Sequence, residues 1–229
     1  MRLTDVLLAL LAPHDCLGCG AEGALLCSTC RRDLAPPLVH CYKCLTVAAS
    51  FATCAGCRPG SPLRMVAAAT AYRGAAKDII WKLKFGRARS GATEVAALIA
   101  SRLGLRRQLG RLPAVIITHA PTATTRVRQR GYDQAQLIAR CLARSCGVPY
   151  RPLLARYGHQ KQIGASKAQR AAQLSGAFHA APLQAARIRG AHIILVDDVV
   201  TTGATLEAAA KTLMDAGARR VDAVVFAQA

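Results

Sequence analysis

Two adjacent carboxylates, Asp197 and Asp198, follow the apolar run 193–196 and precede the small-residue loop 201–205. The apolar run is typical of a buried parallel strand, and the pattern that follows predicts a helix over 206–216. Ligands of open α/β sheets bind at the carboxyl ends of the strands, where both acids are expected to lie. Backbone N–H groups of the loop and helix N-terminus can hold a phosphate. Paired carboxylates suit vicinal hydroxyls, a cation, or both, so a ribose 5-phosphate with Mg²⁺ fits the whole segment.

This segment resembles the binding signature of type I phosphoribosyltransferases. The resemblance implies that Asp197 and Asp198 hold the ribose 2′- and 3′-hydroxyls of phosphoribosyl pyrophosphate. It also implies that the 5′-phosphate is held by Thr201, Thr202, Gly203, Ala204 and Thr205. A Walker B strand would also end in an acid, but it requires a G-x-x-x-x-G-K-[ST] partner, and the sequence contains none. A plain sheet strand is the remaining alternative.

Eight of the ten cysteines form four C-x-x-C pairs, which are Cys16/Cys19, Cys27/Cys30, Cys41/Cys44 and Cys54/Cys57. Two-residue spacing strains a disulfide but lets both thiolates reach one tetrahedral Zn²⁺. We expect two structural zinc ions with the pairs taken in sequence order, because that pairing closes the shorter loops. A cross-braced pairing is the alternative, and His14 or His40 could substitute for a thiolate. Cys141 and Cys146 lack metal spacing and are expected to pack in a helix.

The remaining sequence alternates between strand and helix patterns, which favours an α/β fold with a parallel sheet. Predicted strands lie at 65–72, 114–118, 150–154 and 221–226, with helices at 74–85, 91–103 and 132–146. A Thr- and Arg-rich loop follows residue 118, and 157–181 reads as a polar flap. The breaker-rich linker 58–62 separates an N-terminal segment with a double zinc ribbon (1–62) from a phosphoribosyltransferase-like domain (63–229). The apolar run 7–11 is too short to span a bilayer and lacks a convincing cleavage site, so we expect no membrane span and a reducing, cytoplasmic location.

Taken together, the chain resembles the ComF family, phosphoribosyltransferase-like proteins linked to natural competence and DNA uptake. The resemblance covers nearly the whole length. It is carried by the four C-x-x-C pairs, by A-Y-R-G at 71–74, by I-I-W-K-L-K-F-G at 79–86, by R-V-R-Q-R-G-Y-D-Q-A at 126–135, and by Gln162, Arg170 and G-A-F at 176–178. It implies that Arg126, Arg128 and Arg130 hold the pyrophosphate together with Mg²⁺.

The chain departs from the family pattern at a few positions. Asp133 and Gln173 stand where the family usually has Asn, and Tyr132 stands where it has Phe. A negative charge at position 133 would face the pyrophosphate unless Arg128 or Arg130 pairs with it.

Two functions from different classes fit these motifs. The first is a DNA-uptake accessory protein that binds phosphoribosyl pyrophosphate as ligand or regulator and contacts single-stranded DNA, or competence or DNA-processing proteins. The second is an active phosphoribosyltransferase in nucleotide or base salvage, whose acceptor pocket the sequence does not reveal. A scaffold that has lost ligand binding is a third interpretation. Pyrophosphate release with a defined acceptor would favour the second function, and salt-sensitive DNA binding the first.

Positive charge is concentrated after the cysteine-rich segment. The chain carries a formal net charge of +19, of which residues 1–62 contribute +1. Residues 102–170 contain fourteen Lys and Arg but one acid, Asp133. Such a field attracts polyanions, although a solvated basic face is the alternative.

If part of this basic segment forms a continuous face, the protein should bind single-stranded DNA with little sequence preference. Each neutralised phosphate contributes about −0.7 to the log–log salt slope, so about four to six contacts predict a slope near −3 to −4. Replacing Arg106, Arg107 and Arg111 with Ala should weaken this binding and spare phosphoribosyl pyrophosphate. Replacing the three arginines assigned to pyrophosphate should weaken both. A flat salt dependence measured by fluorescence anisotropy would contradict direct DNA binding.

Overall fold

Four parallel strands form the main sheet of the protein. The computed structural model describes residues 15–86, 88–157 and 176–229. Across the sheet the strands run in the order β1, β6, β5, β2. Their bounds are β1 Val66–Ala71, β2 Val115–His119, β5 His192–Val200 and β6 Arg220–Gln228; a separate antiparallel pair consists of β3 Leu154–Arg156 and β4 Phe178–Ala180. The parallel sheet confirms the predicted α/β class.

Helices cover both faces of this sheet. Their bounds are α1 Ser28–Asp33, α2 Ala75–Phe85, α3 Gly91–Arg102, α4 Leu105–Leu109, α5 Thr124–Arg130, α6 Gln134–Cys146, α7 Ala185–Ile188 and α8 Ala204–Asp215. On one face, α2, α3 and α6 bury their apolar residues with Ile194 and Val196 of β5. On the other face, α8 packs with Ile193 and Leu195. Side chains of a strand alternate between faces, so β5 has apolar residues on both sides and reads as a continuous apolar run.

Strand β5 extends further than the sequence suggested. Val199 and Val200 still pair with β6, so the strand continues through the two acids to Val200. On the other side, β2 ends at His119 opposite Val196. Among the described residues, β5 has no strand partner on its β2 side beyond that point, and the two acids lie at this corner of the sheet.

Two other predictions were wrong. The Thr- and Arg-rich segment after β2 contains helix α5 rather than only a loop. In the predicted strand 150–154, Tyr150 makes a single bridge to Ile117, and the regular strand begins at Leu154. Most of the predicted flap, with Gln162, Arg170 and Gln173, and the N-terminal segment with His14 lie outside the described residues. Among the described residues, no helix is both long and apolar enough to cross a membrane.

The cysteine-rich segment packs directly against the sheet domain. The Asp33 carboxylate accepts a hydrogen bond from the Ala75 N–H at 2.9 Å, at the first turn of α2. Lys82 on the same helix donates to the Cys16 carbonyl at 2.7 Å. Cys16 and Leu17 are buried in the same core as α2 and α3. The division at residue 62 therefore stays a prediction, since the two parts share one hydrophobic core.

Candidate functional site

The eight paired cysteines form two groups of four in the order of the sequence. One group contains Cys16, Cys19, Cys27 and Cys30, and the other contains Cys41, Cys44, Cys54 and Cys57. Within each group all four sulfur atoms lie within 4.8 Å of one another. Neither group includes His40, whose Nε2 lies 2.6 Å from Gln228 Nε2 and whose Nδ1 lies 2.9 Å from the Leu38 carbonyl. Cys141 and Cys146 lie on α6, away from both groups.

The spacing of the sulfur atoms fits a tetrahedral metal site. Cys19 Sγ and Cys27 Sγ are 3.8 Å apart, and Cys44 Sγ and Cys54 Sγ are 3.6 Å apart. A tetrahedron with Zn–S bonds of about 2.3 Å has sulfur–sulfur edges of roughly 3.8 Å, whereas a disulfide needs about 2.05 Å. The arrangement therefore suits four thiolates around one ion.

The electrostatics of the first group point to the same conclusion. Burial raises the pKa of Cys16, but N–H groups of Cys27, Cys19 and Gly18 outweigh burial and lower that pKa to about 6. Burial and the neighbouring sulfur atoms raise the pKa of Cys30 to about 12. Four clustered thiols resist full ionisation without a cation, so a divalent ion is the partner that offsets the charge of the thiolates.

At the corner of the sheet, Asp198 is held by two side chains from different helices. Lys84 of α2 places its Nζ 3.1 Å from Asp198 Oδ1. Gln134 of α6 donates to Asp198 Oδ2 at 2.8 Å, and Arg130 of α5 donates to Gln134 Oε1 at 3.0 Å. Asp198 is buried, with 4% of its surface exposed. A buried carboxylate requires such partners, so these contacts fix the local geometry of the corner.

Asp197 has a different environment from its neighbour. It is half-buried, and its Oδ1 accepts the Asp198 N–H at 2.8 Å. Burial and the Asp198 carboxylate raise the pKa of Asp197 well above its ordinary value, against the opposing effects of the Asp198 N–H and Lys84. Among the described side chains none donates a hydrogen bond to Asp197. Its carboxylate is therefore the one available to a hydroxyl or a cation.

The predicted phosphate loop lies between β5 and α8. Thr201 and Thr202 are exposed, and Gly203 has a φ of 77°, a conformation that favours glycine. No described side chain caps α8 through its first N–H groups apart from Thr202 Oγ1, 3.5 Å from the Ala204 N–H. Such uncapped N–H groups at a helix N-terminus are suited to an anion.

Gly203 also touches the cysteine-rich segment. A Cβ at this position would lie 2.7 Å from a carbon of the Tyr42 ring. The Tyr42 hydroxyl donates to Glu207 Oε1 at 2.7 Å, and Lys43 Nζ lies 2.9 Å from the same oxygen. The second cysteine group is thus connected to the first turn of α8 and supports the phosphate loop from outside the sheet domain.

Helix α5 divides the three predicted arginines. Arg126 and Arg130 are four residues apart and share a helix face, whereas Arg128 lies about 200° from each. Burial lowers the pKa of Arg130, as does the charge of Arg126, while Asp198 and Asp133 raise it. Arg130 therefore lies close to Asp198 and Asp133, with Arg126 next to it on the same helix face, and Arg128 is exposed on the opposite face.

Comparisons with known proteins agree with this geometry. Residues 127–229 match the phosphoribosyl transferase domain family. The chain is 30% identical to the DNA utilization protein YhgH of Escherichia coli (strain K12) over 224 residues, 93% of this chain and 96% of the relative. The corresponding protein of Shigella flexneri is 31% identical over the same shares. The chain belongs to the ComF family.

Two further likenesses cover less of the sequence or the fold. Competence protein ComFC of Bacillus subtilis (strain 168) is 36% identical over 102 residues, which is 44% of this chain and 39% of that ComF protein. A solved glutamine phosphoribosylpyrophosphate amidotransferase from B. subtilis aligns with 60% of this chain and 26% of its own, at 19% identity. Its TM-score of 0.39 is too low for this likeness to carry an argument.

Sequence reasoning missed three residues of this ComF site. Lys84 and Gln134 were noted only as parts of the family motifs 79–86 and 126–135. Arg156 of β3 was not singled out; burial and the charge of Arg126 lower its pKa, and Asp197 and Asp133 oppose that shift. Lys84 and Gln134 stand inside quoted motifs, a signal that could have drawn attention to them, but their contacts with Asp198 join distant parts of the chain.

The family departure at position 133 has a structural explanation. Asp133 does not form an ion pair with Arg128 or Arg130 in the described structure; it begins α6 and accepts the Gln136 N–H at 3.2 Å. Its other oxygen accepts the Thr122 N–H at 2.7 Å. These contacts hold the loop after β2 against α6, as expected of an N-cap residue.

Metal analysis of freshly purified, reduced protein should find two zinc ions per chain. Chelation should unfold residues 15–62 first, because metal binding supplies the folding free energy of such segments. Cys44→Ser should lose one ion, whereas Cys141→Ser, outside both groups, should retain two. Less than one zinc per chain would contradict the assignment.

Proposed function

We propose that this ComF protein binds phosphoribosyl pyrophosphate at the carboxyl end of β5 and acts in natural competence, in the uptake of single-stranded DNA. The observation that carries the ligand assignment is the convergence of three features at one corner. An available carboxylate, uncapped helix N–H groups and a pair of arginines lie around the end of the same strand. The DNA role is supported by the relatives, which are named a competence protein and a DNA utilization protein.

Each part of the ligand has a partner of suitable chemistry. Asp197 accepts hydrogen bonds from ribose hydroxyls, and Asp198 contributes its remaining lone pairs while Lys84 and Gln134 hold it in place. The N–H groups at the start of α8, with Thr201, Thr202 and Thr205, receive the 5′-phosphate. Arg126 and Arg130 receive the pyrophosphate. When bound with the ligand, Mg²⁺ neutralises part of the pyrophosphate charge.

The same residues could support phosphoribosyl transfer, the alternative function. In that reaction the bond from ribose C1 to pyrophosphate breaks and a bond to a nucleophilic acceptor forms. The carboxylates stabilise the positive charge on the ring and the arginines stabilise the leaving pyrophosphate. The relatives, which are named a competence protein and a DNA utilization protein, favour ligand binding in DNA uptake over transfer in salvage.

Replacing Asp197 with Asn should weaken binding of phosphoribosyl pyrophosphate with Mg²⁺ by about 10- to 100-fold, because a charged hydrogen bond is worth roughly 1.5–3 kcal/mol. The melting temperature should change little, since the Asp197 side chain accepts one described hydrogen bond, from the Asp198 N–H, which Asn can also accept. Asp198→Asn should weaken binding and also lower the melting temperature, because Lys84 loses its partner. Asp198→Asn combined with Lys84→Met should recover much of that stability without recovering binding. Calorimetry that detects no binding of phosphoribosyl pyrophosphate by the unaltered protein would favour the third interpretation, a scaffold that has lost ligand binding.

The two faces of α5 provide a matched comparison. Arg126→Ala should weaken phosphoribosyl pyrophosphate binding by about 10-fold or more, whereas Arg128→Ala should leave it within about twofold. Both residues are exposed, so neither change should alter stability. Equal losses from the two variants would show that the helix contributes only general positive charge. That outcome would contradict the assignment of Arg126 to the pyrophosphate.

A further inference from the structure

Helix α2 exposes two large aromatic side chains beside the candidate ligand site. Trp81 is 59% exposed and Phe85 is 61% exposed. They lie one helical turn apart, with ring centroids separated by 6.0 Å and planes tilted by 47°. The same helix buries Ile79, Ile80 and Leu83 completely, so its apolar contact with the core is already made. The two aromatic rings are therefore an additional apolar surface that folding does not require.

One cation contacts these rings directly, and two others lie near them along the chain. Lys77 is exposed one turn before Trp81, and the Arg130 guanidinium lies 5.0 Å from the centroid of the Phe85 ring. Arg89, which follows α2 in the sequence, is exposed, and its guanidinium lies 5.0 Å from the centroid of the Tyr132 ring. One acid, Asp78, is exposed on α2 near Trp81. Positive charges thus outnumber negative charges around the pair.

We propose that Trp81 and Phe85 form a stacking platform for bases of single-stranded DNA, with Lys77, Arg89 and Arg130 contacting its phosphates. This inference rests on the proposed role in DNA uptake and locates that role on α2. Stacking on aromatic rings tolerates any base, and neighbouring cations follow the backbone of the strand. Leu38, Leu45 and Val47 of the cysteine-rich segment are also exposed, but they are aliphatic and offer no ring on which a base could stack.

The platform adjoins the ligand site through two short connections. Lys84, the residue before Phe85, reaches inward to Asp198 at 3.1 Å. Arg130 stacks on Phe85 and donates to Gln134, which in turn donates to Asp198. Binding at the platform can therefore change the positions of Lys84 and Arg130, which hold Asp198 directly or through Gln134. The sequence indicated DNA binding through the positive charge of residues 102–170, and the aromatic pair was not expected from it.

The chain contains a single tryptophan, so its fluorescence reports directly on Trp81. Titration with an oligothymidylate of about 20 nucleotides should quench this fluorescence to saturation. With a labelled oligothymidylate and anisotropy, Trp81→Ala and Phe85→Ala should each weaken binding by about 5- to 100-fold. Their salt slopes should match that of the unaltered protein, because neither change removes a cation. Trp81→Phe should bind more tightly than Trp81→Ala, since it keeps a ring.

Two control variants separate stacking from general effects. Leu183→Ala, a change at a 93% exposed apolar residue on the 3₁₀ turn Pro182–Gln184, should bind like the unaltered protein. Asp78→Asn should bind slightly more tightly, since it removes the acid beside Trp81. Unchanged affinity in both aromatic variants would overturn the proposal. Equal quenching by free thymidine at the same base concentration would assign the platform to a small acceptor. Self-association of the protein that Trp81→Ala abolishes would assign the platform to a second copy of the chain. Either result overturns single-stranded DNA as the occupant.

Binding of phosphoribosyl pyrophosphate to the same variants distinguishes this inference from the proposed function. Trp81→Ala should retain that binding, and Asp197→Asn should retain quenching by the oligonucleotide. If the unaltered protein does not bind phosphoribosyl pyrophosphate but oligothymidylate still quenches Trp81 fluorescence, the ligand assignment fails and the platform stands. If phosphoribosyl pyrophosphate binds but oligothymidylate does not, the platform fails and the ligand assignment stands.

Discussion

The buried charge of Asp198 is the constraint on which the site depends. An isolated carboxylate with 4% of its surface exposed would be costly, and the protein offsets that cost with Lys84 and Gln134. Those two residues lie on α2 and α6, so compensation of one charge fixes two helices relative to β5. Because Gln134 also receives a hydrogen bond from Arg130, the position of α5 follows from the same network. Asp197 is left with its carboxylate available, which is what a ligand at this corner requires.

The cysteine-rich segment depends on the balance between its thiolate charges and a metal ion, and it contacts the same site at two places. One is on α2, where Lys82 donates to the Cys16 carbonyl and Asp33 receives the first N–H of the helix. The other is at Tyr42, which packs on Gly203 and donates to Glu207. A metal ion that orders the thiolates would therefore also order both sides of the candidate site. The cysteine-rich segment thus supports the candidate site in addition to binding its own metal ions.

The sequence predicted those features that depend on local patterns. The apolar run before Asp197, the C-x-x-C spacing and the amphipathic helices on either side of β2 were all recognisable, because each pattern spans a few turns or one strand. Helix α5 was not predicted because Val127 is its one apolar residue, so its sequence shows no hydrophobic periodicity. Strand β3 is three residues long and pairs only with β4. Contacts such as Lys84 with Asp198 or Tyr42 with Gly203 join distant segments, and a single sequence has no pattern that specifies them.

The central claim is that the N–H groups at the start of α8 and the exposed face of α5 meet one ligand at the end of β5. Amide hydrogen exchange with and without phosphoribosyl pyrophosphate and Mg²⁺ tests it most directly, since those N–H groups are the proposed donors. Slower exchange is expected in residues 201–206 and 124–130, and much less of this protection in Asp197→Asn at a ligand concentration near the Kd of the unaltered protein. Unchanged exchange in both segments at saturating ligand, or protection confined to other segments, would contradict it.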